Sequence, residues 1–314
     1  MMGHCWVVFA REPELDLYQA HQFDLPFEVH GDPMASGPLL FNSPHSGAQY
    51  HPAFVAASRL DPVSLRRSED MYVDDLFLPV TGQGMMLLRA HFPRAFLDVN
   101  REPFELDPSM YADDLPDYAN IRSLRVSAGL GTIAKIVADG AEIYQKPLQA
   151  AEALARIHAL YHPYHDKLGQ LLRLLHRRHG FAVLVDCHSM PSLPLRDLHR
   201  RADIVIGDRF GTSCMAMISD VVEQSLTEAG YKVARNRPFA GGFITEHYGQ
   251  PKQGLHAVQI EINRALYMDE RTYQLHRGFM LLQDDMQRMA AALADAVAAS
   301  SWGNSTQSGR LAAE

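Results

Sequence analysis

The sequence predicts an α/β protein, a single three-layer α/β/α domain built around a mixed, mostly parallel central sheet. Three observations predict it. Apolar runs of strand length alternate with longer stretches of helical spacing, the pattern of units that feed a parallel sheet. Some of those runs, FAVLVD at 181–186 above all, are apolar at almost every position, as strands covered on both faces are. The polar residues His45, Asn100, His188 and Glu261 fall at or near predicted strand ends, where open α/β sheets gather ligands.

Taken in order, PLLFNSP (38–44) reads as a buried strand that delivers His45 into a loop. Residues 69–78 (EDMYVDDLFL) carry apolar side chains at helical spacing, and GMMLLRA (84–90) and AFLDVN (95–100) read as the next strands. A long helical stretch spans 147–179, with a break or kink at Pro163, and Gly180 punctuates it before the FAVLVD strand. ADIVIGD (202–208) is a strand, followed by a helix over about 213–229 and a strand at YKVAR (231–235). HAVQIEIN (256–263) closes the strands, and a last helix runs from about 270 to 298. The domain is placed at 26–299, after a variable segment 1–25 and before a small, polar tail, 300–314, expected to be disordered.

The 314 residues, 47% of them hydrophobic, suffice for one large core. A net charge of -8 argues against a general nucleic-acid binder, which needs clustered Lys and Arg. Cys5, Cys187 and Cys214 are too few and scattered for a disulfide framework, and no CxxC pair offers a thiolate zinc site. No run of about 18 apolar residues predicts a membrane span, and CWVVFA (5–10) lacks the basic flank of a signal peptide. A reduced cytoplasmic setting fits best.

A catalytic zinc site needs three protein ligands and an open position. His45 sits in the turn SPHSG and His188 directly after a strand, in LVDCHS, where Asp186 would point to the same side and orient it. The third ligand is sought in SEDMYVDDLF, Asp70 first and Glu69 second. No HxxH or HExxH string ties these residues together, and a lone histidine at a strand end is equally read as a structural hydrogen-bonder. Arg101, in DVNR, has the fork that suits a carboxylate or polarises a carbonyl, or else pairs with Asp98 or Glu102. Glu261 alternates with Gln259 and Asn263 against Val258, Ile260 and Ile262. On a sheet covered on both faces a carboxylate there is costly, and it suits a general base. The loop 235–249 contributes Arg235, Arg237, Gly242 and His247, with glycines that let a ligand approach backbone. YHPYH (161–165) and HRRH (176–179) look metal-like, but on a long helix they read as a packing or solvated face.

Together these strings resemble the N-formylglutamate amidohydrolase family. The resemblance rests on NSPHSG, EDMYVDDLF, FLDVNREPFELDP, GLGTIAKIVADGAEIYQKPL, YHPYHDKL, VLVDCHSMPS, NRPFAGGFITEHYG and QIEINRALYMDE, in order over roughly 38–290. It implies a zinc-carboxypeptidase-like fold related to the aspartoacylases and one zinc ion held by His45, His188 and Asp70 or Glu69. It further implies a small-molecule substrate, a general base at Glu261 and an Arg101 that meets substrate and helps hold the oxyanion; Asn100, Arg237, Gly242 and His247 are read from their own strings as further substrate contacts. The activity implied is hydrolysis of N-formyl-L-glutamate to formate and L-glutamate, in histidine degradation. One departure stands out: the carboxypeptidase-like relatives carry HxxE, and here the third residue after His45 is Ala48. Three other readings compete: a hydrolase of another N-acyl amino acid or peptide, a metal-free amidase using Cys187, and a zinc-stabilised binding protein without turnover. Adjacent strand residues face opposite ways, which disfavours a Cys187–His188 pair.

Overall fold

The computed structural model describes residues 23–192 and 202–300. The segment expected to vary, up to residue 22, Cys5 and the tail from 301 lie outside the described residues. Seven strands form one sheet in the order β1-β3-β2-β4-β7-β5-β6. They are β1 (Phe27–His30), β2 (Leu39–Ser43), β3 (Met86–Ala90), β4 (Ala182–Met190), β5 (Ile204–Gly207), β6 (Val233–Arg235) and β7 (Leu255–Asn263). β3, β2, β4 and β7 run parallel, while β1 joins β3 and β5 joins β7 antiparallel, so the sheet is mixed and mostly parallel as expected.

Nine helices are described: α1 (Pro52–Ala57), α2 (Pro62–Leu65), α3 (Val73–Phe77), α4 (Leu124–Ser127), α5 (Ala150–Arg156), α6 (His162–His179), α7 (Ala216–Glu228), α8 (Phe243–Tyr248) and α9 (Gly278–Ala299). They cover both faces. Ala182 and Leu184 of β4 pack into a core with α5, α6 and the 92–148 segment. Val183, Val185 and Cys187 pack into a second core with α3, α7 and α9. The period of two thus sends Asp186 and His188 to the α6 face. In register, Asn42 of β2 stands opposite Asp186, and Gln259 and Glu261 of β7 stand opposite Asp186 and His188.

Four expectations need correction. AFLDVN is not a strand. Ala95, Phe96, Leu97 and Val99 are buried in the α6-side core, but the backbone turns, with Pro93 O accepting from Phe96 N and Leu97 N and Asp98 Oδ1 accepting from Asn100 N. Both edges of β3 are already paired, by β1 and β2, so the segment has no strand edge to join there. The helix at 69–78 shrinks to α3 and passes into a 3-10 turn, Leu78–Gln83, at Pro79; Asp70 lies before it. The stretch 147–179 is α5 and α6 joined by a π turn, Ile157–Tyr161, with Pro163 in the first turn of α6, where its missing N–H costs nothing. The last helix starts at Gly278 because 268–275 forms a small hairpin, β8 (Met268–Asp269) with β9 (Gln274–Leu275).

A candidate metal centre and active site

Among the described residues, the group of side chains able to hold a metal ion is His45, Asp70 and His188, with donor atoms within 4.8 Å of one another. Each arrives by a separate local device. His45 sits in the turn after β2, and Gly47 lets that turn press against β3's exit: a Cβ there would lie 2.1 Å from Phe92 O. Asp70 is strapped to the same turn, since Asp70 N donates to His45 O at 3.0 Å and Ser46 Oγ donates to Asp70 O at 2.8 Å. His188 simply continues β4 beyond Asp186. Of the two acidic candidates, Asp70 meets the histidines. Glu69 instead takes Arg66 and the Tyr50 hydroxyl.

Behind each imidazole stands a carboxylate. His45 Nε2 lies 2.7 Å from Asp98 Oδ1, and His188 Nε2 lies 3.0 Å from Asp186 Oδ2. A carboxylate only accepts, so each Nε2 donates and each Nδ1 is left facing Asp70 Oδ2, at 3.4 Å and 3.0 Å. Asp70 Oδ1 is held by Ser189 Oγ at 3.0 Å and Arg264 Nη2 at 3.2 Å, which leaves Oδ2 for the centre. His45 Nδ1 is buried with no hydrogen-bond partner. A buried lone pair of that kind, beside a second imidazole and a carboxylate, suits a divalent cation.

The electrostatics agree. Burial raises the Asp70 carboxyl, but the imidazoles of His188 and His45 outweigh it and hold it well below the usual carboxylate range. Burial opposes charge on His188, yet Asp186 and Asp70 hold its proton affinity well above the usual histidine range. The centre therefore attracts positive charge, whether proton or metal.

Glu261, across the strand pair from His188, lines the same cavity. Burial pushes its carboxyl up to about 8, opposed by His188. Gln259 Nε2 donates to Glu261 Oε1 at 2.9 Å, and Gln259 Oε1 accepts from Gly242 N at 2.8 Å. Gly242 has to be glycine, because a Cβ there would lie 2.4 Å from the Asn100 amide. Asn100 Oδ1 accepts from Ile244 N at 2.8 Å, which turns its Nδ2 to within 3.2 Å of His188 Nε2. The loop over α8, the DVNR turn and β7 thus meet at the centre.

The cavity measures about 500 Å³ and carries arginines from four segments. Arg101 lines it, but its guanidinium is tied to Leu130 O and Asn100 O, both at 2.7 Å. Arg94, which sequence reasoning missed, donates Nη2 to Asp98 at 2.8 Å and also lines the cavity. So does Arg264, missed as well. Arg237 and His247 are not among the lining residues. Arg237 is exposed, and His247 is an exposed side chain of α8 stacked on Phe243 at 5.1 Å between ring centroids. Cys187 lies in the opposite core, fully buried, with its thiol pushed well above the usual range by burial. YHPYH packs inward in part: Tyr161 Oη donates to Arg101 O at 2.7 Å, and His165 Nε2 to Val99 O at 2.8 Å.

The comparisons with known proteins agree with this geometry. The sequence model described as N-formylglutamate amidohydrolase matches residues 37–268. An N-formylglutamate deformylase of Pseudomonas aeruginosa is 32% identical over 245 residues, covering 77% of this chain and 86% of that protein. One from Pseudomonas putida is 28% identical over 237 residues, covering 74% and 82%. The crystal structure of an N-formylglutamate amidohydrolase from Ralstonia eutropha JMP134 superposes with a TM-score of 0.80 at 35% identity, covering 86% of this chain and 97% of that one. The chain belongs to the N-formylglutamate amidohydrolase family.

Proposed function

We propose that the protein is a metal-dependent amidohydrolase that cleaves the formamide of N-formyl-L-glutamate, giving formate and L-glutamate, as in histidine degradation. One observation carries the reading: two backed imidazoles and a carboxylate converge in an arginine-lined cavity with a buried Glu261 beside them. His45, Asp70 and His188 would hold the ion, and two nitrogens with one carboxylate oxygen favour zinc. When bound, it supplies Lewis acidity to the formyl oxygen and makes a neighbouring water more acidic.

Glu261 carries the proton. In its ionised form, which the positive charge of an occupied centre would favour, its carboxylate takes a proton from the attacking water as the oxygen bonds to the formyl carbon. It then gives that proton to the amide nitrogen as the carbon–nitrogen bond breaks. Gln259 holds Oε1 of Glu261, so the carboxyl enters the step in one orientation. Arg94 supplies positive charge for the developing oxyanion or a substrate carboxylate. Arg101, fixed by two backbone carbonyls, holds Asn100 and the rim in place. The free, buried Cys187 and Cys214 suit the reducing cytoplasm, where we place the enzyme.

The test is formate release from N-formyl-L-glutamate by purified protein, before and after chelation and with zinc restored. Acetyl and succinyl analogues run alongside. Formate release lost on chelation and recovered with zinc is expected. Turnover of another acyl group in place of the formyl one would keep the mechanism and replace the substrate, and turnover that resists chelation would sink the metal reading.

A further inference from the structure

The YHPYH string reaches the metal centre's supports from behind. Tyr164 is fully buried, and its hydroxyl donates to Asn42 Oδ1 at 2.5 Å. Asn42 Nδ2 donates to Asp186 Oδ1 at 2.7 Å, and Asp186 Oδ2 accepts from His188 Nε2 at 3.0 Å. The direction of each bond is forced. A carboxylate only accepts, so Asn42 must turn its nitrogen to Asp186 and its oxygen to Tyr164. That oxygen only accepts, so the tyrosine hydroxyl donates. The remaining Asp186 oxygen then takes the Nε2 proton of His188, and Nδ1 is left to face Asp70. Tyr164, Asn42 and Asp186 are each 0% exposed and His188 is 3% exposed, so bulk water has little access to stand in for a missing link.

We propose that Tyr164 is a positioning residue for the metal centre: acting through Asn42 and Asp186, its hydroxyl fixes the tilt and tautomer of His188. This rests on the metal-centre reading above. Loss of the hydroxyl leaves Asn42 Oδ1 buried without its donor, frees the amide to tilt, and loosens the carboxylate that holds the imidazole.

The test measures Zn²⁺ affinity of the full chain by competition with a chromophoric chelator. Tyr164→Phe keeps the ring and is expected to weaken Zn²⁺ binding roughly 3- to 10-fold, somewhat less than loss of a group that touches a ligand directly. Tyr144→Phe is the control. Its hydroxyl accepts from Arg156 Nη1 at 2.7 Å in the same core, away from this chain of bonds, and its Zn²⁺ affinity should not change. In an Asp186→Asn background the effect of Tyr164→Phe should vanish, because the connecting acceptor is already altered. Should Tyr164→Phe fail to fold, Asn42→Ser breaks the next link and should weaken binding at least as much. Unchanged affinity in Tyr164→Phe, or the same loss persisting with Asp186→Asn, overturns the proposal. A wild-type chain that binds no Zn²⁺ overturns both readings. Zn²⁺ binding with these couplings but no formate release overturns the substrate alone.

Discussion

Strands β4 and β7 carry two different chemistries on their two faces, one residue apart. Towards α6 they present Asp186, His188, Gln259 and Glu261; towards α7 and α9 they present Val185, Cys187, Val258 and Ile260. All eight are buried. The apolar face is closed by apolar side chains of α3, α7 and α9, while the polar face is held by hydrogen bonds such as His188 Nε2 to Asp186 and Gln259 Nε2 to Glu261. Burial is thus not what separates core from site; the presence of polar groups, held by one another or, like His45 Nδ1, left without a partner, is. Substitutions on one face should change the chemistry, and on the other the stability.

The largest effect is expected from His188→Ala. Removing one of two imidazoles should abolish stoichiometric zinc and lower kcat/KM by about 1,000-fold or more, the several kcal/mol that a Lewis acid contributes. Metal analysis of the purified variant beside formate release checks it. A His188→Ala protein that keeps both zinc and activity would break the polar side of the comparison. Next comes Glu261→Gln, which keeps shape and the neighbouring Gln259 but removes the proposed base. Zinc content should stay at the wild-type level while kcat falls roughly 100- to 10,000-fold.

How much of this was legible in the sequence follows the same division. The period of two within HAVQIEIN and FAVLVDCHS is a local pattern, so β4, β7, Glu261, His188 and the partner Asp186 were readable from neighbouring residues. His45 and Asp70 were readable as polar residues in turn and acidic strings. The bonds that make them a site are not local. His45 meets Asp98 across 53 residues, Tyr164 meets Asn42 across 122 and Arg264 meets Asp70 across 194. No spacing announces such pairs, which is why Arg94 and Arg264 were missed while Arg237 and His247, prominent in a glycine-containing string, lie outside the cavity lining. AFLDVN misled for a related reason. Its apolar residues do reach the core, but the Asp98 side chain caps its own backbone and turns the chain.

On the apolar face, Ile260→Ala should cost about 2–4 kcal/mol in denaturant unfolding, the transfer and cavity cost of a fully buried side chain. Activity per folded, metal-loaded molecule should stay near wild type. Cys187→Ser, on the same face, should also keep its turnover. Loss of turnover in a folded Cys187→Ser protein would revive a cysteine nucleophile.

The smallest effect concerns pH, and it sharpens the comparison because the α6 side buries a histidine outside the centre. Burial lowers His165 to about 4, against an ordinary value near 6.5 in the unfolded chain. The folded protein therefore holds this imidazole neutral where the unfolded chain would protonate it. The stability it contributes is fully present above pH ~6.5 and is lost as pH falls towards about 4. Asp74 runs the other way over the same window, since burial raises it from 3.8 to about 6 and the folded state takes up its proton first. A wild-type pH curve alone mixes the two. The difference between wild type and His165→Gln isolates the histidine, and the glutamine amide still offers Val99 O a donor. That difference should shrink by on the order of 1–3 kcal/mol between pH 6.5 and 4, read from urea midpoints at each pH. A difference that stays constant across the window would mean that His165 is protonated in the folded state, with Val99 O and Tyr248 Oη accommodating the charge.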